Sequence, residues 1–120
     1  MSPSIVVNCT HGRENAERAT LSFVVGNVSA TADQATAVLL TCDGVWLATK
    51  GYADGVHQDG LPALAEVQAS FVAAGGEIWA CGACTGPRGI TESDLVPGAR
   101  IVTAALVVEA MAGGARTLSF

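Results

Sequence analysis

Short, fully apolar runs recur along this chain at wide intervals, and the stretches between them carry helical rather than hairpin spacing. Ser4-Ile5-Val6-Val7-Asn8 is β-branched, Thr36-Ala37-Val38-Leu39-Leu40-Thr41 is apolar throughout its centre, and Glu77-Ile78-Trp79-Ala80 repeats the pattern. Runs of this kind, without polar alternation, belong to strands buried on both faces. Connections too long for tight turns, with helical periodicity, are crossovers between parallel strands. The alternation therefore predicts an α/β fold: a mostly parallel sheet covered by helices on both faces, in a three-layer α/β/α sandwich. At 120 residues it forms one domain, 1–120, with no internal repeat or linker.

The connections read as follows. Thr10-His11-Gly12 makes a turn, and a helix from Arg13 to Asn27 carries Ala16, Ala19, Phe23 and Val24 at helical spacing. Glu14 and Glu17 fall in its first turn, where the helix dipole favours acids. Cys42-Asp43-Gly44 turns out of the second strand, Val45-Trp46-Leu47-Ala48 has the length of one helical turn, and residues 49–60 form a Gly-punctuated loop. A second helix spans Leu61 to Ala74, with Asp59 or Gly60 as its cap, Pro62 in its first turn and Gly75-Gly76 at its end. Thr91-Glu92-Ser93-Asp94 has capping-box spacing and starts one short turn. Residues 99–112 predict a third helix with Ile101, Ala104, Ala105, Val108 and Met111 on one face, and residues 116–120 a last strand.

Composition narrows the setting. Half the residues are hydrophobic and only 14% are charged, which excludes a disordered chain. Aromatic residues make up 5%, so Ala, Val, Leu and Ile build the core. So little charge leaves apolar helix faces for partners, and a homo-oligomer is expected. The net charge is −5 and the six basic residues (Arg13, Arg18, Lys50, Arg88, Arg100 and Arg116) are scattered, which argues against nucleic-acid binding. The strongest apolar stretch, residues 101–112, contains Glu109 and is too short for a membrane span. Met1-Ser2-Pro3 lacks the positive start of a signal peptide, so a cytoplasmic protein is expected, with its four cysteines as free or reactive thiols.

Right-handed crossovers place the C-terminal ends of all strands on one edge of the sheet, where ligands and reactive groups collect. Cys9, His11, Cys42, Asp43, Cys81 and Cys84 all fall at or just beyond those ends. Cys81-Gly82-Ala83-Cys84 leaves the third strand and is followed by Pro87-Arg88-Gly89. A nucleophilic or sulfur-carrying Cys81 needs its thiolate favoured, because a free thiol, with a pKa of roughly 8.5, is mostly protonated at neutral pH. Gly82 allows close backbone approach and Arg88 offers positive charge. The other reading is that Cys81 packs as a small apolar residue. A zinc centre needs four ligands, or three with an open position, and a single C-x-x-C supplies two. No metal and no cofactor is therefore expected. Strand followed by C-x-x-C is locally similar to a thioredoxin active site, yet two strand–helix units precede this third strand. Reversible Cys81–Cys84 oxidation stays open. Phosphate-binding glycine motifs are absent. His11 serves as acid or base or caps the helix after it, Asp43 forms a turn or faces a pocket, Trp46 and Tyr52 wall a pocket or an oligomer contact, and Trp79 is core.

Taken together, these residues resemble the DsrE/DsrF-like family. The resemblance rests on Thr10-His11-Gly12 with Glu17-Arg18-Ala19-Thr20, on Asp43-Gly44-Val45-Trp46-Leu47-Ala48, on Phe71-Val72-Ala73-Ala74-Gly75-Gly76, on Cys81 to Ile90, and on the ending Gly114 to Phe120. It implies a five-stranded α/β/α sandwich assembled as trimers or hexamers. It also implies sulfur relay, in which a reactive cysteine opens a segment ending in Arg-Gly and carries sulfur as a persulfide. Cys81 matches that cysteine, and Arg88-Gly89 matches the ending. Cys84 stands where relay subunits often have a small apolar residue, and Pro87 replaces a basic or polar one, so the chain is more similar to a stand-alone branch with C-x-x-C. The expectation is a cytoplasmic sulfur carrier or sulfurtransferase-like protein that meets sulfur-donor and acceptor proteins. Cys81 takes the sulfur, Arg88 and backbone N–H groups stabilise the anion, and Cys84 resolves the persulfide or packs beside it. His11, Cys9, Cys42, Asp43 and Gly82 shape the pocket. The alternative is a non-catalytic oligomeric module that holds a small ligand or metal at the strand ends.

Overall fold

In the computed structural model, which describes residues 2–120, five strands form one sheet. Met1, part of the opening read for a targeting signal, lies outside the described residues. The strands are β1 (Ile5–Cys9), β2 (Thr36–Leu40), β3 (Glu77–Cys81), β4 (Ala99–Val102) and β5 (Arg116–Ser119), in the order β4-β3-β2-β1-β5 with every neighbour parallel. β2 is buried at every position, as an unalternating apolar strand should be, whereas the edge strand β5 is exposed at every position.

Helices α1 (Ala16–Thr31) and α2 (Leu64–Ala73) pack on one face, with the Phe23 and Phe71 rings meeting edge-on at 5.8 Å over Val7, Val38 and Ile78. Helix α4 (Ala104–Ala112) lies on the other, against Val6, Ala37 and Trp79. This is the three-layer α/β/α sandwich that the alternation predicts, with the five strands that the resemblance implies. Among the described residues no helix is long and apolar enough to cross a membrane.

The helix starts depart from the sequence reading for local reasons. A 3-10 turn, Arg13–Asn15, precedes α1, whose cap is the Asn15 side chain accepting the Arg18 N–H at 3.1 Å. α1 then continues past Asn27 to Thr31. α2 begins at Leu64 rather than Leu61, and neither Asp59 nor Gly60 caps it: Ala63 is extended, and the Leu64 N–H donates to the Val56 carbonyl at 3.0 Å. The 3-10 helix Cys42–Ala48 absorbs both the turn and the short helix expected after β2. The capping box at Thr91 and Asp94 forms as its spacing predicts.

The largest correction concerns residues 99–112, which do not form one helix. Gly98, at φ +87°, turns the chain after Pro97, and its carbonyl accepts the Ile78 N–H at 2.9 Å, which starts the pairing of β4 with β3. The Thr103 side chain then accepts the Leu106 N–H at 3.3 Å and starts α4. That start sets the helix phase. Leu106, Val107, Ala110 and Met111 pack against the sheet, while Val108 is 65% exposed.

Candidate functional site

Three strand ends and the turns that follow them build the site. At the end of β1, Cys9 is fully buried and its Sγ donates to the His11 carbonyl at 3.3 Å; burial pushes this thiol up. His11 is half-buried, with Nδ1 3.0 Å from Thr10 Oγ1, and the cap of α1 is Asn15. The Thr41 N–H donates to the Cys9 carbonyl at 3.0 Å and so ties the end of β2 to the end of β1.

Cys42 opens the 3-10 helix after β2; it is exposed and adopts φ +52°. Its N–H donates to Cys84 Sγ at 3.1 Å. Beside it, Asp43 Oδ1 accepts from Arg88 Nη2 at 2.9 Å and from Arg88 Nε at 3.3 Å. Arg88 Nη1 donates to the Cys84 carbonyl at 3.0 Å. Cys42, Asp43, Cys84 and Arg88 therefore form one connected group.

Cys81 stands apart from that group. It is the last residue of β3 and the extended N-cap of the single-turn helix α3 (Gly82–Thr85). A Cβ on Gly82 would lie 3.2 Å from the Val102 carbonyl oxygen, so glycine lets this turn press against the end of β4. Cys81 is half-buried and lines an apolar cavity of about 220 Å³ with Leu39, Thr41, Val102, Val107 and Val108. Reading residues 99–112 as one helix hid this wall, because Thr103 alone marks where α4 begins. A second cavity, about 420 Å³ and more polar, is bounded by Trp46, Thr49, Lys50, Arg88, Ser93 and Asp94. Trp46 stacks on Tyr52 at 6.2 Å, and the Arg13 guanidinium sits 4.3 Å from the Tyr52 ring centre. Among the described residues no group of three or more His, Cys, Asp or Glu is arranged to hold a metal ion. The sequence placed the cysteines at one edge; the structure divides them into a sealed Cys9, a cavity-lining Cys81 and a contacting pair, Cys42 and Cys84.

Residues 4–120 match the DsrE/DsrF-like family. The chain belongs to this family. Over 99 residues, this DsrE/DsrF-like chain is 31% identical to the uncharacterised protein MJ0760 of Methanocaldococcus jannaschii, a match covering 82% of the chain and 36% of that protein. It thus spans little more than a third of that relative's length. It is 28% identical to the uncharacterised protein MK0008 of Methanopyrus kandleri, over 82% of the chain and 76% of that protein. The crystal structure of the YchN protein of E. coli superposes with a TM-score of 0.80 at 18% identity, covering 98% of this chain and 99% of that one. A protein of unknown function, MTH1491 of Methanobacterium thermoautotrophicum, superposes at 0.69 with 16% identity and 97% coverage of both chains. Both structures share the fold of this DsrE/DsrF-like chain.

Proposed function

We propose that this chain, acting as one DsrE/DsrF-like domain over residues 1–120, is a cytoplasmic sulfur carrier or sulfurtransferase-like protein of the C-x-x-C branch. In this reading it holds sulfane sulfur as a persulfide on Cys81. The observation that carries the reading is the setting of Cys81, half-buried at the end of β3 and opening on an apolar cavity of about 220 Å³. A sulfur-accepting thiol has to be one that a donor can reach, partly exposed rather than sealed in the core. Cys9 is sealed in the core, Cys42 is open to solvent, and Cys84 is covered by the Cys42 amide.

Loading is a sulfur transfer between thiolates. The Cys81 thiolate attacks the outer sulfur of a donor persulfide, a Cys81 sulfur–sulfur bond forms, the donor sulfur–sulfur bond breaks, and the donor leaves as its thiolate. The Cys81 side chain caps none of the N–H groups of the turn that Gly82 opens, and these are the donors this reading assigns to the new anion. Arg88 acts as a brace, holding Asp43 and the α3 carbonyl so that the turn carrying Cys81 keeps its shape. Family membership and its association with sulfur relay support the same assignment.

The test is mass analysis of alkylated tryptic peptides after incubation with inorganic polysulfide. In wild type and Cys84→Ser the peptide 51–88 carries one added sulfur atom, and in Cys81→Ser it carries none, whatever the exposed Cys42 in peptide 19–50 takes up. Unchanged gain in Cys81→Ser, or no gain in wild type under conditions that load a known persulfide carrier, overturns the assignment.

We also propose a homo-oligomer, a trimer or hexamer. The support is physical: Val28, Val108 and Leu118 are half or more exposed, and a single nine-residue helix covers one face of the five-stranded sheet. Analytical ultracentrifugation tests it, and a monomer at micromolar concentration sinks it. A second reading, a non-catalytic small-ligand module, draws on the polar cavity beside Trp46 and Lys50. In that case Cys81→Ser leaves ligand binding intact.

A further inference from the structure

We propose that Cys42 and Cys84 form a dithiol–disulfide couple, oxidised by low-molecular-weight disulfides and chemically separate from Cys81. The assignment rests on geometry. Cys84 Sγ lies 3.1 Å from the Cys42 backbone nitrogen. An N–Cα bond of about 1.46 Å puts the Cys42 Cα within about 4.6 Å of that sulfur. The sulfur of Cys84 thus already sits against the backbone of Cys42, and closing the bond asks for side-chain rotation with the two Cα atoms held about 4.4–6.8 Å apart.

The backbone around both thiols is held in place. Arg88 donates to Asp43, the residue after Cys42, at 2.9 Å, and to the carbonyl of Cys84 itself at 3.0 Å. One guanidinium thus spans the two turns that carry the couple. Cys42 is exposed and meets solutes, while Cys84 is half-buried behind it. The rival pairing is Cys81 with Cys84, one turn of α3 apart. Cys81 lines the apolar cavity under α4 with Thr41 and Val107, and Cys84 is not among the residues of that cavity.

The chemistry runs in two exchanges. The Cys42 thiolate attacks one sulfur of a small disulfide such as oxidised glutathione, forming a mixed disulfide and releasing one thiolate. The Cys84 thiolate then attacks the Cys42 sulfur, forming the Cys42–Cys84 bond and releasing the second thiolate. The two cysteines lose two electrons and two protons, and the small disulfide gains them as two thiols. Oxidation leaves Cys81 free and joins the end of β2 to the turn after β3.

Peptide mapping tests the couple without any substitution. Trypsin places Cys42 in residues 19–50 and both Cys81 and Cys84 in residues 51–88. After oxidised glutathione and alkylation under denaturing conditions, the expected product is 19–50 joined to 51–88. The link persists in Cys81→Ser and is lost in both Cys42→Ser and Cys84→Ser. Peptide 51–88 with an internal disulfide and 19–50 unlinked overturns the proposal. So does stable glutathione on Cys42 with no link, or loss of the link in Cys81→Ser. Fragmentation of the linked peptides in wild type shows which of Cys84 and Cys81 holds Cys42, so a variant that fails to fold does not obscure the result, and a bridge to Cys81 overturns the proposal. The polysulfide test of Cys81 reads a different atom, so either assignment can fail while the other survives.

Discussion

Arg88 closes on Asp43. Its Nη2 lies 2.9 Å and its Nε 3.3 Å from Asp43 Oδ1, and this joins the turn after β3 to the turn after β2. The third donor, Nη1, meets the Cys84 carbonyl at 3.0 Å. An arginine that the family resemblance sets beside a reactive sulfur thus spends its donors on a neighbouring carboxylate and a helix-end carbonyl.

Because the Asp43 side chain is 60% exposed, the pair itself contributes little to stability. A double-mutant cycle on Arg88→Ala and Asp43→Ala is expected to give a coupling of about 0.2–1 kcal/mol in urea denaturation, shrinking with added salt. Arg88→Ala should be the more damaging single change, since it also removes the donor to the Cys84 carbonyl. Equal single effects with no coupling would remove the brace.

How much of this was legible in the sequence depended on where the hydrophobic pattern changed period. β1, β2 and β3 were readable because each apolar run is bounded by glycines or polar turn residues. β4 was not, because Ile101-Val102 flows into the equally apolar Ala104-Ala105-Leu106 and only Thr103 marks the change from strand to helix. The cysteines at the strand ends were readable as a cluster, since parallel crossovers put them on one edge. Their division was not. Whether a thiol sits inside, outside or across a cavity depends on side-chain direction at a strand end, and the contact of Cys84 with the Cys42 amide joins residues with no shared motif.

Cys9 should set part of the alkaline stability limit. Burial raises its thiol above the ordinary value of 9.0. In the unfolded chain the thiol ionises from that pH upward, while the folded protein still holds its proton. The unfolded state then binds fewer protons, so stability falls as pH rises through this window. Cys9→Ala should flatten the fall in denaturant midpoint above pH 9.0 relative to wild type. A parallel fall in both proteins would assign the loss to other groups. In the folded protein, Cys9 should also be the last of the four thiols to react with a thiol reagent.

Asp94 acts at the opposite end of the pH scale. Its Oδ2 accepts the Thr91 N–H at 2.8 Å and the Thr91 hydroxyl at 3.0 Å, and these bonds hold its carboxyl below the ordinary 3.8. A lowered carboxyl stabilises the fold above the unfolded value and loses that contribution as pH falls through the folded one. Wild type should therefore exceed Asp94→Ala in stability at neutral pH, with the gap narrowing below pH 3.8. A gap independent of pH would mean that the carboxylate charge is not what the cap uses.

Thr103 links the sheet edge to the cavity at Cys81. Its hydroxyl accepts the Leu106 N–H at 3.3 Å and starts the helix whose Val107 and Val108 stand over Cys81. Removing an N-cap of this kind costs about 0.5–2 kcal/mol, and a serine replacement keeps most of the bond. Thr103→Ala should lower the urea midpoint accordingly and raise the alkylation rate of Cys81, because the first turn of α4 frays and opens the cavity. Asn15→Ala, which removes the cap of α1 on the opposite face, serves as a control of similar cost. It should lower stability without exposing Cys81. If both variants raised Cys81 alkylation equally, the rate would report global unfolding, and the cover formed by α4 would not be what shields the thiol.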